Sequence, residues 1–198
     1  MNYHIHTVHS DGENTIDEFV QKAIELGFNE IGFSEHLVIL PSGDVGWESI
    51  RPDCLESYMK EVELLRKRNK RVISIKRGLE IEYFPETEVL IKTLISGLEF
   101  DYLMGSIHRL GDFQFDLTSF IPAWQAMKED EIYEIYRRYF SALNPMIRSG
   151  LFDVVAHLDI IKKFGFRPAR SPRDEVVEET INLISKEGLC LEVNASGL

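Results

Sequence analysis

The sequence predicts an α/β fold built on a parallel sheet. Apolar, strand-like runs alternate along the chain with polar stretches of helical periodicity. Helix start and stop signals bracket the first and last helical stretches, and no Pro/Gly/Ser-rich linker or low-complexity segment interrupts the alternation. Strands alternating with helices form right-handed βαβ units, which make parallel sheets. The 198 residues suit one compact domain over 1–198. Six strands fit an open doubly wound sheet or most of a β/α barrel, and periodicity alone does not choose between them.

In chain order, Tyr3–His6 reads as the first strand and 15–26 as the first helix. Thr15 and Glu18 make a T-x-x-E capping box there, Ile16, Phe19, Val20, Ala23 and Ile24 form the apolar stripe, and Gly27 stops it. Strand Glu30–Ser34, helix 55–68, strand Val72–Glu82, helix 86–96 and strand Tyr102–Ile107 follow. Helix 129–148 then leads to strand Val154–His157. The last helix, 172–187, takes Ser171 as N-cap and Pro172 at its first turn, with a Val176, Val177, Thr180, Ile181, Ile184 stripe and Gly188 after its end. Strand Leu189–Val193 closes the series.

Composition narrows the function. Hydrophobic residues make up 44% and charged residues 28%, a globular balance that excludes a disordered or fibrous chain. No apolar run is long enough to cross a bilayer, and MNYHIHTVHSDG lacks the basic and apolar regions of a leader. No membrane partner is expected. The net charge of −11 repels polyanions, so no nucleic-acid partner is expected either. Cys54 and Cys190 form no C-x-x-C pair and read as reduced packing residues of a cytoplasmic protein.

The chemistry lies in the histidines. His4 and His6 stand two apart on a strand, so their side chains share a face, which suits a metal ion and, on the pair alone, equally suits a solvated polar face. His36 in GFSEH, Glu80 in RGLEIEY, His108 in GSIH and His157 in AHLD sit within or at the ends of four further strands. In parallel β/α architectures ligand groups gather at the carboxyl ends of strands. Imidazole with carboxylate suits zinc, iron or manganese, and the scarcity of cysteine excludes a sulfur-rich site. In the loop HTVHSDG, Asp11 is a metal ligand or a turn residue before Gly12, and His9 a surface or supporting residue.

HIHTVHSDG, GFSEH, RGLEIEY, GSIH and GLFDVVAHLD, in this order and spacing, resemble the PHP (polymerase and histidinol phosphatase) superfamily, most closely its histidinol-phosphatase branch. The resemblance spans about residues 3 to 197. It implies a distorted seven-stranded β/α barrel with up to three metal ions at the carboxyl ends of the strands. His4, His6 and Glu80 would serve one metal, Glu80 would bridge to a second held by His108 and His157, and Asp11 and His36 would serve a third. The family runs on to a final D-x-H motif, whereas this sequence ends at EVNASGL, so about six strands are expected. The resemblance then leaves the second metal alone with its full side-chain set. It also leaves an open sheet edge that favours self-association and lowers activity and stability against an extended chain.

The implied activity is hydrolysis of a small phosphate monoester, L-histidinol phosphate in histidine biosynthesis, with metal ions activating water and clamping the phosphoryl oxygens. Asp11, Glu80 and His108 are the catalytic candidates. Asp11, His9 or a water supplies the leaving-group proton. Arg109, Lys162 and Lys163 read as phosphate contacts or as ordinary surface cations. Glu82, Tyr83, Phe84, Asp112 and Asp116 fall in stretches where loops for a cationic substrate belong. The alternatives are another PHP phosphoesterase or exonuclease, which the acidic charge disfavours, and a metal-binding remnant without activity.

Overall fold

The computed structural model describes residues 1–169 and 175–194. The chain divides into two compact units, Met1–Met104 and Gly105–Leu198. Five strands form a sheet and two more form a hairpin.

In the first unit, helix α1 (Ile16–Glu25) starts where the capping box places it. Thr15 Oγ1 accepts from the Glu18 N–H, and Glu18 Oε2 accepts from the Thr15 N–H at 2.8 Å. Ile16, Val20 and Ala23 are its buried stripe, and Gly27 ends it at φ 76°. Strand β1 (Glu30–Leu37) runs three residues beyond its expected end. Helix α2 (Leu55–Asn69) then returns the chain to strand β2 (Ser74–Glu82), which pairs with β1 in parallel from Glu30↔Ser74 to Leu37↔Ile81. Helix α3 (Glu88–Ile95) leads to strand β3 (Tyr102–Ser106), which neighbours β2. Buried Phe33, Leu37, Leu79 and Ile81 line the sheet, and buried Tyr58 and Val62 come from α2.

Tyr3–His6 is not a strand. Gly32 N–H donates to Asn2 O at 2.8 Å and Ser34 N–H to Ile5 O at 3.0 Å, so the segment does lie against β1. Donors two residues apart meet acceptors three apart, a bulge's count rather than a ladder's. Among the described residues the sheet therefore has five strands where about six were expected.

Two glycines make room for a tyrosine. A Cβ on Gly78 would lie 2.5 Å from the Tyr102 ring, and one on Gly32 2.7 Å from its hydroxyl oxygen. That hydroxyl lies 2.5 Å from Tyr3 O and 3.0 Å from Phe33 O, sharing its one proton between them. Tyr58 reaches Phe33 O from α2, at 3.1 Å, and also Gly78 O at 2.9 Å. Burial pushes the Tyr58 and Tyr102 phenols well above their ordinary pKa.

In the second unit, Gly105 of β3 accepts from the Ala156 N–H at 3.0 Å. A hairpin of β4 (Arg109–Leu110) and β5 (Phe113–Gln114) follows, then the short helix α4 (Ile121–Ala126). Trp124 of α4 is buried and donates to Phe115 O at 2.9 Å. Helix α5 (Glu129–Arg148) precedes strand β6 (Val154–Val155), which neighbours β3 and pairs in parallel with strand β7 (Cys190–Leu191). Helix α6 (Glu175–Glu187) lies between them in sequence and packs on α5, where Thr180 Oγ1 donates within 2.8 Å of Asn144 Oδ1.

The α6 stripe differs from expectation. Leu183 joins Thr180 and Ile184 inside, whereas Ile181 is 51% exposed. Cys190 is exposed as well, so it is no packing residue. Ser171 and Pro172 lie outside the described residues. Among the described residues no helix is long and apolar enough to cross a membrane.

Candidate metal centre

The first unit gathers five potential ligands from three places. His4 and His6 come from the extended segment along β1, Asp11 from the loop after it, and His36 and Glu80 from the carboxyl ends of β1 and β2. His36 and Glu80 are register partners, so they project from the same face of the sheet. His4, His6 and Glu80 offer ligand atoms within 4.8 Å of one another, and so do His6, Asp11 and His36.

Glu80, with no exposed surface, is the hub. Its Oε2 lies 2.9 Å from His4 Nε2, 3.4 Å from His6 Nε2 and 3.1 Å from His36 Nδ1. His4 Nε2 and His6 Nε2 are 3.1 Å apart. Bonds of about 2.0–2.1 Å from a tetrahedral ion space its ligand atoms about 3.3 Å apart, so this triangle has the edges of a metal's coordination shell. His6 and His36 stack with centroids 4.0 Å apart and a 9° interplanar angle, and His36 Nε2 lies 3.9 Å from Asp11 Oδ1. The buried His6 Nδ1 has no hydrogen-bond partner among the described residues. Burial lowers the His6 pKa, against the opposing charges of Glu80 and Asp11, and favours the neutral imidazole that binds metals. The donor set fits a divalent transition metal.

Two features of the Thr7–Gly12 loop have no counterpart in motif reading. Gly12 is needed for close approach, because a Cβ there would lie 2.3 Å from His6 O. Glu35, one residue before His36 and fully buried, accepts from the Thr7 N–H at 3.0 Å, Thr7 Oγ1 at 2.6 Å and Ser10 Oγ at 2.5 Å. The one available signal was its place directly before His36 in GFSEH. His9 turns away from the cluster, with Nε2 2.8 Å from Glu61 Oε2 and its ring edge-on to Tyr58.

The second unit brings His108 and His157 together. His108 stands two residues past β3 and His157 two past β6, both buried, with Nε2 atoms 3.2 Å apart. The His157 N–H donates to Glu192 Oε2 at 2.7 Å, a carboxylate just after β7 that sequence reasoning passed over. Arg109 is half-buried in β4, next to His108. Lys162 Nζ lies 3.9 Å from Asp159 and Lys163 Nζ 3.7 Å from Asp116, and both lysine side chains are substantially exposed.

The PHP domain family matches residues 2–196. A histidinol-phosphatase of Lactococcus lactis is 28% identical over 202 residues, covering 98% of this chain and 71% of that protein. The histidinol-phosphatase of Bacillus subtilis is 27% identical over 216 residues, covering 98% and 80%. Among solved structures, the histidinol phosphate phosphatase of Lactococcus lactis, complexed with zinc, L-histidinol and phosphate, superposes with a TM-score of 0.79 at 26% identity. That match covers 98% of this chain and 72% of the other, and it agrees with a distorted β/α barrel.

Proposed function

Since this chain belongs to the PHP domain family, we propose that it is a metal-dependent phosphatase that converts L-histidinol phosphate to L-histidinol and phosphate in histidine biosynthesis. The observation that carries the reading is the triangle of His4, His6 and Glu80, whose 2.9–3.4 Å edges suit an ion. The kinship with histidinol-phosphatases, one of them bound to zinc and both products, supports the substrate. The whole chain, 1–198, is read as one catalytic domain.

His4, His6 and Glu80 hold one divalent ion, Asp11 and His36 serve another, and His108 and His157 bind a third, each zinc, manganese or iron. Ions of this kind supply Lewis-acid charge to the phosphoryl oxygens and make water acidic enough to attack phosphorus at neutral pH. Asp11, whose side chain is 30% exposed where Glu80 has no exposed surface, would pass a proton to the leaving alkoxide. His9 is already engaged by Glu61, which favours Asp11 for that role. Glu80 and His108 are catalytic through the ions they hold. Arg109, Lys162 and Lys163 follow the two histidines of the second unit and bind the phosphate, with Asp116 setting the Lys163 amine.

The test is phosphate release from a panel of phosphomonoesters, alongside elemental analysis of the purified protein. Histidinol phosphate is the preferred substrate, and chelation abolishes its turnover. Single-stranded DNA degraded as fast as histidinol phosphate would overturn the substrate assignment. A metal-loaded protein that releases no phosphate would overturn the activity.

A further inference from the structure

Glu35 lies deep in the molecule yet belongs to none of the groups whose geometry could hold an ion. Strand alternation sends it to the opposite face of β1 from His36. It has no exposed surface, and a buried carboxylate is retained only where donors meet it. Three do, from one short stretch of chain: the Thr7 N–H at 3.0 Å, the Thr7 hydroxyl at 2.6 Å and the Ser10 hydroxyl at 2.5 Å. These donors flank the turn whose backbone closes through Ser10 N–H and Gly12 N–H on Thr7 O, both at 3.0 Å. Thr7 follows His6, and Ser10 precedes Asp11. Glu35 therefore ties both ends of the ligand-bearing loop to the strand that carries His36 one residue later.

We propose that Glu35 is a positioning residue that sets Asp11 against His36 for ion binding by anchoring the loop through Thr7 and Ser10. The inference rests on the metal reading of this site and names a residue outside the ligand set. Two carboxylate oxygens and three donors fix the loop's distance and its rotation, whereas one bond would fix only distance. The requirement is for acceptor geometry more than for charge. A glutamine with its carbonyl at the Oε2 position still accepts from Thr7 N–H and Ser10, and its amide donates to a rotated Thr7 hydroxyl. A leucine keeps the volume and loses all three contacts.

The experiment compares the parent chain with Glu35→Gln, Glu35→Leu and Ser10→Ala, each prepared metal-free. Cobalt(II) titration followed by visible absorption reads ion binding, and amide exchange at Thr7 reads the anchor without any metal. Glu35→Leu should lose Thr7 protection and weaken the ion at Asp11 by 10- to 100-fold, the usual range for groups that orient ligands. Glu35→Gln should restore both to within about threefold, and Ser10→Ala, which leaves the core intact, should fall between them. A purely structural role would lower the melting temperature of the metal-free Glu35→Leu protein and leave the cobalt affinity of its folded form unchanged. That result overturns the proposal, as does a glutamine variant no better than leucine. A parent chain that binds cobalt but hydrolyses no histidinol phosphate overturns the phosphatase reading and leaves this one standing. A parent that binds no cobalt overturns both.

Discussion

Replacing Gly78 with alanine should damage the protein out of proportion to one methyl group. The new Cβ would lie 2.5, 2.6 and 2.9 Å from three carbons of the Tyr102 ring, where ordinary contact begins at 3.4 Å, so the ring must retreat by about 0.9 Å. Retreat also pulls the hydroxyl off Tyr3 O and Phe33 O. Overpacking of this kind costs about 1–3 kcal/mol, and the lost hydrogen bond about 1 kcal/mol more. At roughly 2–4 °C per kcal/mol for a chain this long, the melting temperature should fall by about 10 °C. Thermal unfolding of the metal-free protein measures it directly. Adding Tyr102→Leu to the Gly78→Ala background should recover part of the loss, a coupling that a double-mutant cycle resolves. Tyr3 adjoins His4, so cobalt affinity should drop as well. A melting temperature within 2 °C of the parent would show that the ring is not wedged, and the argument would fail.

His157→Ala should reduce bound metal, read by mass spectrometry, while leaving the far-ultraviolet spectrum unchanged; full metal content would exclude His157 as a ligand. Gly12→Ala forces the loop about 1 Å away from His6 O, from 2.3 Å to ordinary contact, and displacements of that size cost on the order of a hundredfold in rate. Phosphatase assays of that variant check it, and an undiminished kcat would sink the close-approach argument. The Tyr3 phenol is pushed up to about 12, chiefly by its hydrogen bond to Glu30. A group whose folded pKa is raised adds stability that is complete below its unfolded value near 10 and disappears as pH climbs through 12. Denaturant unfolding between pH 9 and pH 12 should therefore show a decline that Tyr3→Phe makes shallower, and parallel curves for the two proteins would refute it.

The alternation of strands and helices was legible because it depends on local periodicity, and α1 with its capping box shows how far local signals reach. Residues whose role depends on distant partners were not legible. Glu35 reads as one more polar residue in GFSEH until the loop 25 to 28 residues upstream folds over it. Glu192 sits 35 residues from the His157 amide it accepts from. At six residues, α4 is too short to declare a period, and it is fixed by burying Trp124. Tyr3–His6 carried the right face and the wrong pairing. Alternation put both imidazoles on one side, while nothing in four residues reveals a register slip against β1.

His6 belongs to both ligand groups of the first unit, and an imidazole cannot serve two ions at once. In its neutral form one ring nitrogen carries a proton and the other a lone pair, so the ring makes a single dative bond. If His6 spends it beside His4 and Glu80, that ion has three protein ligands and Asp11 with His36 supply just two to the other. A second ion bound there would have to fill its remaining positions with oxygens that come and go, from water or from phosphate. One ion would thereby be tenured and its neighbour on loan. The exchangeable one would sit on the exposed side, at Asp11, where an arriving phosphoryl group would complete its shell.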